Sequence, residues 1–430
     1  VMKRKDGYVV DTTYPVFFYK EMQPIWLNTV VQFLGFKTPS IRQKFSYLEL
    51  ACATGVNLLV AAMNHPHGSF IGVDFNPQHI ELARKSAQKL GLKNIEFIHA
   101  DFSEFLRSNT QQFDFIVNHG TFTWISPEQQ QHILDIIDQS LKEFGICYLH
   151  YMCYPGSKDL IPLQKLFSLV DEHQPDLSVE SIGIATQLFN DLNDAGAFVH
   201  QSKMEAVLNT LKNSSTYLAH EFLTDHWKPL FSADLHKMVY EKTKMTYLGS
   251  ANPCENLDSI SIPANLQSLI RDTQQPALKE YLKDIARDAK QRVDIFQKKP
   301  QPFNHVEHFK IINDTYFKLL PDFSRSKITW FNTSIGRIDA NEHVLKALNQ
   351  TMGHEHTSFK TLLNLPVFQQ NPLFIIETLF LMIQEQYIHP VNDLASAVDI
   401  DQINQFNDLM KELGGSLNLM PDCATAIYKT

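Results

Sequence analysis

The feature that most constrains the fold of this chain is a short apolar run that leads into a loop of small residues. The run is Tyr47–Leu50 and contains the acidic residue Glu49, and the loop after it reads Ala-Cys-Ala-Thr-Gly before Val56 and Asn57. We interpret the run as a buried strand and the loop as a tight turn that opens a helix. Such a turn brings backbone N–H groups and a helix N-terminus close to a nucleotide-like ligand.

Four further apolar runs follow, and helical patterns separate them. The first three end in a polar residue at Asp74, Asp101 and Asn118, and the last covers Gly145–Met152. Strands that alternate with helices from about residue 45 to 155 predict a doubly wound parallel sheet with helices on both faces. Because ligands of such sheets bind beyond the carboxyl ends of the strands, we expect Glu49 and these three polar residues to meet at one edge.

The acids at this edge suit an adenosine. A carboxylate after the second strand accepts both ribose hydroxyls, and Asp74 holds that position with Phe75 beside it to pack on the adenine. Asp101 is placed to accept a hydrogen bond from the adenine amino group. The alternative for each acid alone is a solvated carboxylate at a strand end, which the shared register of the set disfavours.

The loop differs from that of an NAD-binding Rossmann domain, which requires glycines in the pattern G-x-G-x-x-G. Here the pattern is Ala51-x-Ala53-x-Gly55, and Glu49 precedes it. An acid before the loop suits S-adenosylmethionine (AdoMet), which carries an ammonium group and has no pyrophosphate. Alanine in a left-handed backbone costs about 1–2 kcal/mol, so Ala51 suits this loop if its backbone is extended.

Several other segments have the sequence of a known family. They are Tyr14–Tyr19 with Pro24, Asn118–Ile125, Tyr151–Gly156 and Tyr217–Glu221. Together with the loop and the acids, they make residues 45–155 resemble a class I AdoMet-dependent methyltransferase. More narrowly, the chain resembles the bacterial group with a methyltransferase regulatory domain, which includes rickettsial protein-lysine methyltransferases that act on an outer-membrane protein. The resemblance implies a Rossmann-like sheet and AdoMet as cofactor, without a metal.

The resemblance also implies which residues contact the cofactor. Around the methionine and ribose parts it places Glu49, Ala51, Gly55 and Asn57, with Asp74 on the ribose hydroxyls. Around the adenine it places Asp101 and Phe102, and beside the sulfonium it places Asn118, His119 and Gly120. The expected cofactor contacts are completed by Tyr14, Ala53 and Phe75.

Methyl transfer from a sulfonium is an in-line displacement that needs a neutral nucleophile, and positioning supplies much of the rate. A lysine amine has a reference pKa near 10.4, so we expect a proton acceptor near the reacting atoms. His119 is the first candidate, either as a base or as a hydrogen-bond donor to the cofactor. The alternative is a loop histidine that only packs and orients the backbone.

Three aromatic residues are further candidates for the substrate side. Tyr151 and Tyr154 follow the fifth strand and would orient an amine, and Trp124 would form an aromatic wall around a lysine stem. Core packing is the alternative for each of them. The pair His220-Glu221 resembles part of a metal site, but we interpret it as a structural feature of a helix.

Composition narrows the substrate class. The chain has 430 residues and a net charge of −9, whereas proteins that bind tRNA or DNA usually carry a basic excess. A nucleic acid substrate is therefore disfavoured, and a protein or peptide substrate with a lysine is favoured. Two other functions stay open, a small-molecule methyltransferase and a non-catalytic protein that senses AdoMet or acts as a scaffold.

Several features bear on location and assembly. The five cysteines are scattered and odd in number, and the first residues lack an apolar signal core, which together predict a cytoplasmic protein with reduced thiols. The most apolar window, Leu373–Ile383, is too short for a membrane span and contains Glu377. Apolar C-terminal helices suit a homodimer.

The chain divides into four predicted parts. Residues 1–40 form an N-terminal lid or helix, with Pro24–Phe36 as the helix, and residues 41–156 form the Rossmann-like cofactor-binding domain. Residues 157–300 form a helical regulatory or substrate region with late strands, in which 263–299 are helical. Residues 301–430 form a smaller winged-helix-like C-terminal domain.

Overall fold

The structure is a computed structural model that describes residues 2–201, 203–325, 327–353, 355–394 and 396–428. The N-terminal part precedes the central sheet along the chain. It begins with a hairpin of β1 (Arg4–Lys5) and β2 (Tyr8–Val9), and helix α1 (Pro24–Phe33) follows the aromatic segment 14–19. Pro24 occupies the first turn of α1, where its missing N–H is not needed. The helix ends at Phe33 and not at Phe36, because the chain turns at Gly35 with a φ of 98°.

Seven strands form the central sheet. They are β3 (Phe45–Leu50), β4 (Gly68–Asp74), β5 (Ile95–His99), β6 (Phe113–Asn118), β7 (Leu141–Met152), β8 (Thr246–Ser250) and β9 (Gln291–Gln297). Their order is β5-β4-β3-β6-β7-β9-β8; the first five are parallel, and β9 runs antiparallel to both of its neighbours. The parallel sheet predicted from the apolar runs is confirmed for those five strands, and the complete sheet is mixed.

Helices cover both faces of the sheet. Those between the parallel strands are α2 (Val56–Asn64), α3 (Pro77–Lys89), α4 (Phe102–Ser108) and α5 (Pro127–Ser140). The apolar residues of α1, α2 and α3 belong to the core cluster on one face, and those of α4 and α5 belong to the cluster on the other. This arrangement leaves the carboxyl ends of the strands open at one edge.

Strand β9 corrects the prediction that residues 263–299 are helical. Its charged residues give the sequence the appearance of a solvated helix, but they pair with one another in the interior. Arg292 donates from Nε to Asp294 at 2.9 Å and from a terminal nitrogen to Asp284 at 2.6 Å. It also donates to the hydroxyl of Tyr247 at 2.9 Å. Asp284 and Tyr247 lie on other elements, so local periodicity does not reveal their contacts with Arg292.

A largely helical region lies between β7 and β9. Its helices are α6 (Ile161–Glu172), α7 (Ser178–Asp194), α8 (Met204–Thr210), α9 (Ser215–Phe222), α10 (Ser232–Thr243), α11 (Asp258–Ser261), α12 (Ala264–Asp272) and α13 (Pro276–Arg287). Helices α6, α7 and α9 pack on one another through a third apolar cluster that also contains Val9 of β2. The helical insertion thus reaches the N-terminal hairpin. In the described part of the chain, no helix combines the length and apolar character that a membrane span requires.

In the described residues, the C-terminal part contains six further helices and several short strands. The helices are α14 (His305–Asn313), α15 (Pro321–Arg325), α16 (Glu342–Met352), α17 (Phe359–Leu363), α18 (Pro372–Gln384) and, near the end, α19 (Ile400–Glu412). The strands are β10 (Tyr316–Leu319), β11 (Trp330–Thr333), β12 (Gly336–Asp339), β13 (Thr357–Ser358), β14 (Ile388–Pro390), β15 (Leu417–Met420) and β16 (Thr425–Tyr428). Helix α19 and the hairpin β15–β16 were not predicted, and the winged-helix-like arrangement stays a prediction.

Candidate active site

The loop after β3 has an unusual backbone. Ala51, Ala53 and Gly55 all have positive φ angles, of 59°, 48° and 77°. The condition under which Ala51 suits the loop, an extended backbone, is therefore not met, and two alanines occupy a conformation that costs L-residues about 1–2 kcal/mol each. The surroundings hold the loop in this shape, since the backbone N–H of Ala53 donates to Oδ2 of Asp74 at 2.9 Å.

Gly55 has a second reason to be glycine. A Cβ atom at this position would lie 2.5 Å from the ring of Phe97 and 3.2 Å from the Cβ of Ala83. Any side chain here would push helix α2 away from β5 and α3. Gly55 therefore lets the helix pack close to the sheet and does not itself line the pocket.

Two acids, Glu49 and Asp74, face the same pocket without a strong cationic partner. Glu49 is buried, and its Oε2 atom has no hydrogen-bond partner among the described residues. Burial and the nearby charge of Asp74 raise the pKa of Glu49 well above its usual value. Lys5 is the one lysine or arginine among the described lining residues. Two carboxylates in such a setting fit a ligand that carries positive charge.

The pocket at the carboxyl edge encloses about 1140 Å³, part of which is open to solvent. Most of the expected cofactor contacts line it: Tyr14, Glu49, Ala51, Ala53, Asn57, Asp74, Phe75, Asp101, Phe102, His119 and Gly120. Asn118 does not. Its amide is buried behind the loop, where Nδ2 donates to the carbonyl of Leu50 and to Oγ1 of Thr121, both at 2.9 Å.

Two of the expected contacts also stabilise neighbouring backbone. Asp74 accepts from the N–H of Asn76 at 2.9 Å in addition to its bond from Ala53. Asp101 accepts from the N–H of Glu104 at 2.8 Å and so begins helix α4 as its N-cap. The structure therefore holds both carboxylates in place before any ligand binds.

His119 lies in a stack of rings at the pocket wall. Its ring centroid is 3.7 Å from that of Tyr19 and 3.9 Å from that of His150, and its Nδ1 is 2.8 Å from the hydroxyl of Tyr148. Burial, with the neighbouring His150, lowers the pKa of His119 well below its usual value. A neutral imidazole of this kind is a weak base, so the geometry favours packing or hydrogen bonding over proton abstraction.

The other substrate-side candidates lie outside the pocket. Tyr151 lies on the opposite face of β7 from His150, and its hydroxyl donates to Asp294 at 2.6 Å. This corrects the expectation that Tyr151 points to the pocket and orients an amine there. Tyr154 packs on Phe231 with ring centroids 4.8 Å apart.

Trp124 is buried, and its Nε1 donates to the backbone carbonyl of Glu221 at 2.9 Å. It therefore joins the loop after β6 to helix α9, and its ring does not line the pocket as a wall around a lysine stem would. The sequence contains no signal for this contact, because the two residues are far apart along the chain.

The N-terminal segment closes one side of the pocket with aromatic rings. Tyr8, Phe17 and Tyr19 line it together with Tyr14, and only Tyr14 was expected to. The backbone N–H of Tyr19 donates to Oδ1 of Asn57 at 2.9 Å, which attaches the segment to helix α2. The segment 14–19, which we call the lid, therefore lies along the pocket, and its role as a lid stays a prediction.

His79 is a lining residue that no motif indicated. Its Nε2 accepts from the backbone N–H of Tyr14 at 3.1 Å, so the ring proton is on Nδ1. That atom lies 3.7 Å from Oδ1 of Asp74. At this distance Nδ1 makes no hydrogen bond to the carboxylate, so His79 bonds to the aromatic segment and only lies beside the acid at the end of β4.

Comparisons with known proteins agree with this geometry. Residues 41–234 match a family described as a methyltransferase domain, and residues 214–298 match one described as a predicted methyltransferase regulatory domain. An uncharacterised protein of Synechocystis sp. is 27% identical over 421 residues, which are 95% of this chain and 82% of that protein. An uncharacterised protein of Rickettsia prowazekii is 32% identical over 146 residues, which are 34% of this chain and 26% of that protein.

A solved structure shares the fold over almost the whole chain. It is that of PKMT2 from Rickettsia typhi in complex with AdoHcy, with a TM-score of 0.73 and 19% identity, covering 97% of this chain and 86% of that chain. The sheet, the acid-lined pocket and the two family matches lead to one conclusion. The chain is an AdoMet-dependent methyltransferase, with a methyltransferase domain over residues 41–234 and a match to a predicted methyltransferase regulatory domain over residues 214–298, and AdoMet is its cofactor.

Proposed function

We propose that this enzyme transfers the methyl group of AdoMet to the side-chain amine of lysine in a protein. The observation that carries the proposal is the set of rings Tyr14, Phe17 and Tyr19, which line the pocket together with His119. Aromatic faces attract ammonium groups and pack against aliphatic stems. A lysine side chain combines both features, and the resemblance to rickettsial protein-lysine methyltransferases supports the same substrate class.

The proposal assigns the pocket residues to parts of the cofactor. Glu49 faces the cationic methionine end, Asp74 accepts the ribose hydroxyls, and Asp101 with Phe102 holds the adenine. AdoMet supplies an electrophilic methyl group on a positively charged sulfur. His119, held by Tyr19 and His150, forms part of the wall beside the reacting atoms and keeps water out of them.

The chain's charge suits a basic protein segment. A net charge of −9 attracts lysine-rich surfaces and repels nucleic acids at moderate ionic strength. The helical region α6–α9 lies next to β2 and α9 contacts the lid, so it is in position to form one side of a substrate cleft. We assign substrate binding to this side of the pocket.

The experiment that tests this function follows radiolabelled methyl groups from AdoMet into fractionated bacterial lysate. We expect label in the protein fraction, recovered as methylated lysine after hydrolysis, and loss of that label when lysines are blocked beforehand. Label only in small molecules would contradict the proposal and favour a small-molecule methyltransferase.

A further inference from the structure

One side chain of the pocket carries a hydrogen-bond donor without an acceptor. His79 lies in the first turn of α3 and lines the pocket beside Asp74. Its side chain is only 5% exposed, and its Nδ1 atom has no hydrogen-bond partner among the described residues. A buried donor of this kind costs free energy until a group accepts its hydrogen. An unpaired donor at this place therefore indicates a ligand that brings an acceptor.

The lid decides which ring nitrogen of His79 carries the hydrogen. The backbone N–H of Tyr14 donates to Nε2 of His79 at 3.1 Å. Nε2 must therefore offer its lone pair, and the hydrogen of the neutral imidazole is then on Nδ1. Since Nδ1 is the atom nearer to Asp74, the ring presents a donor, and not an acceptor, beside that carboxylate.

Among the described residues, no group takes this hydrogen. Oδ1 of Asp74 is 3.7 Å from Nδ1, which is longer than a hydrogen bond. The ring of His220, with its centroid 6.4 Å from that of His79, does not bond to Nδ1 either. Each carboxylate oxygen of Asp74 accepts one backbone N–H, from Asn76 at Oδ1 and from Ala53 at Oδ2, both at 2.9 Å. Because such an oxygen has two lone pairs, one acceptor position remains on each.

A ribose hydroxyl meets both requirements at once. A hydroxyl has one hydrogen to donate and two lone pairs that accept. It can donate to Oδ1 of Asp74 and accept from Nδ1 of His79, whereas a carbonyl lacks the hydrogen and an ammonium lacks the lone pair. Water can make the same two bonds. The two cases differ in how the affinity responds to a ligand that lacks one hydroxyl.

We propose that His79 binds the ribose of AdoMet, with Nδ1–H as donor to the hydroxyl whose hydrogen Asp74 accepts. This inference rests on the assignment of Asp74 to the ribose under the proposed function, and it is independent of the methyl acceptor. His79 then helps to distinguish a ribose from a deoxyribose, because a ligand without that hydroxyl leaves the buried donor unpaired. Through Nε2 the same ring bonds to Tyr14, so the cofactor and the lid share one side chain.

The first test measures whether His79 and a ribose hydroxyl depend on each other. S-adenosylhomocysteine (AdoHcy) and its 2′-deoxy and 3′-deoxy analogues are titrated by calorimetry into the wild type and into His79→Gln. Glutamine places its amide near the position of Nε2, where it can keep the bond from Tyr14, and has no donor at the position of Nδ1. We expect His79→Gln to weaken the binding of AdoHcy and of one analogue by about tenfold. The other analogue, which lacks the hydroxyl beside His79, should change by less than about twofold.

Two further variants complete the comparison. His79→Asn places an amide N–H near the position of Nδ1, so it should discriminate between the analogues as the wild type does. His132→Gln is the control, because His132 also lies in a helix and its buried Nδ1 has no partner among the described residues, yet it does not line the pocket. His132→Gln should leave AdoHcy affinity within about twofold of the wild type.

A nitrogen-15 spectrum of protein with labelled histidine reads the position of the hydrogen directly. The imidazole whose resonances are missing from His79→Gln should be neutral, with its hydrogen on Nδ1. AdoHcy should shift the Nδ1 resonance more than the Nε2 resonance, because the ribose meets only Nδ1. The analogue without the hydroxyl should give a smaller shift.

The outcomes separate this inference from the assignment on which it rests. If the wild type binds both deoxy analogues as tightly as AdoHcy, the assignment of Asp74 to the ribose fails and the role of His79 fails with it. If the wild type discriminates but His79→Gln weakens all three ligands equally, or none of them, His79 does not contact the ribose and the assignment of Asp74 stands. Selective loss of one discrimination, together with the Nδ1 shift, supports both. None of these measurements involves a methyl acceptor, so the lysine-labelling experiment tests the proposed function separately.

Discussion

Oδ2 of Asp74 accepts a hydrogen bond from the backbone N–H of Ala53 at 2.9 Å. The acid that follows the second parallel strand thus holds the strained loop that follows the first. One carboxylate therefore has two tasks in this enzyme, because it stabilises the loop and, as we propose, accepts the ribose hydroxyls of AdoMet. A change at either residue should affect both the loop and the ligand.

Replacement of Asp74 by asparagine should weaken AdoMet binding. We expect a loss of at least about tenfold in affinity, since a hydrogen bond to a charged group contributes about 1.5–3 kcal/mol. Isothermal calorimetry with AdoMet checks this. The control is Asp114→Asn, whose carboxylate also accepts a backbone N–H, that of Ser46 at 2.8 Å, but does not line the pocket. Equal affinities for Asp74→Asn and wild type would refute the ribose assignment.

Replacement of Ala53 by glycine should relieve backbone strain. Its φ of 48° costs an alanine about 1–2 kcal/mol, and the greater freedom of glycine in the unfolded chain offsets part of the gain. We expect the free energy of unfolding to rise by up to about 1 kcal/mol. Denaturant titration measures it.

Ala347→Gly is the matched control for Ala53→Gly. Ala347 lies inside helix α16 with an ordinary right-handed backbone, so glycine there should destabilise the protein by about 1 kcal/mol. Opposite signs for the two substitutions are expected. If both destabilise by the same amount, the positive φ at Ala53 is not a source of strain.

Replacement of Glu49 by glutamine should change how stability depends on pH. Burial and Asp74 raise the pKa of Glu49 in the folded protein above the ordinary 4.5. Folding therefore favours the protonated form, and the stability this supplies is lost as pH rises through the folded pKa. Glu49→Gln removes that loss, so without ligand the variant should melt at a higher temperature than wild type at neutral pH.

Binding of AdoMet should reverse the higher melting temperature of Glu49→Gln relative to the wild type. A cationic ligand offsets the repulsion between Glu49 and Asp74, so AdoMet should raise the melting temperature of the wild type more than that of Glu49→Gln. Thermal melts from about pH 4.5 to 8, with and without AdoMet, provide the measurement. Parallel curves for the two proteins would show that Glu49 does not meet the charge of the ligand.

Replacement of Trp124 by phenylalanine should lower methyl transfer more than AdoMet affinity, because Trp124 positions helix α9. The variant keeps a ring but loses the N–H that donates to the carbonyl of Glu221. We expect a loss of about 1 kcal/mol in stability and a larger fall in methyl transfer than in AdoMet affinity. Trp227→Phe is the control, because Nε1 of Trp227 has no partner among the described residues. Equal effects of both substitutions would contradict a positioning role for Trp124.

Much of the cofactor site could be predicted from local sequence. The apolar runs of β3, β4, β5 and β6 and the polar residue after each follow from the needs of buried parallel strands. Since parallel strands end at the same edge, Glu49, Asp74 and Asp101 had to converge. The chemistry of these residues then indicated a cationic adenosine ligand.

Strand β7 shows where local pattern fails. From Gly145 to Met152 both faces of this strand are buried, and its residues there are apolar or carry rings, so the sequence does not tell which face turns to the pocket. Neighbouring side chains point to opposite faces, and the structure turns His150 to the side of His119 and Tyr151 to Asp294. Strand β9 escaped prediction for a related reason, since Asp284 and Tyr247, which accept hydrogen bonds from its Arg292, lie on other elements that the fold brings near.

The sequence by itself determined the parallel sheet, the polar residues at the carboxyl ends of its strands and the class of cofactor. These features depend on short segments with strong periodicity. Only the tertiary structure decided the substrate side of the pocket. Tyr8, Tyr19, His119 and His220 come from four separate segments, and their ring contacts form when the lid and α9 pack over the sheet. Burial in the ring stack also lowers the pKa of His119, and burial is a property of the whole fold that local sequence does not contain.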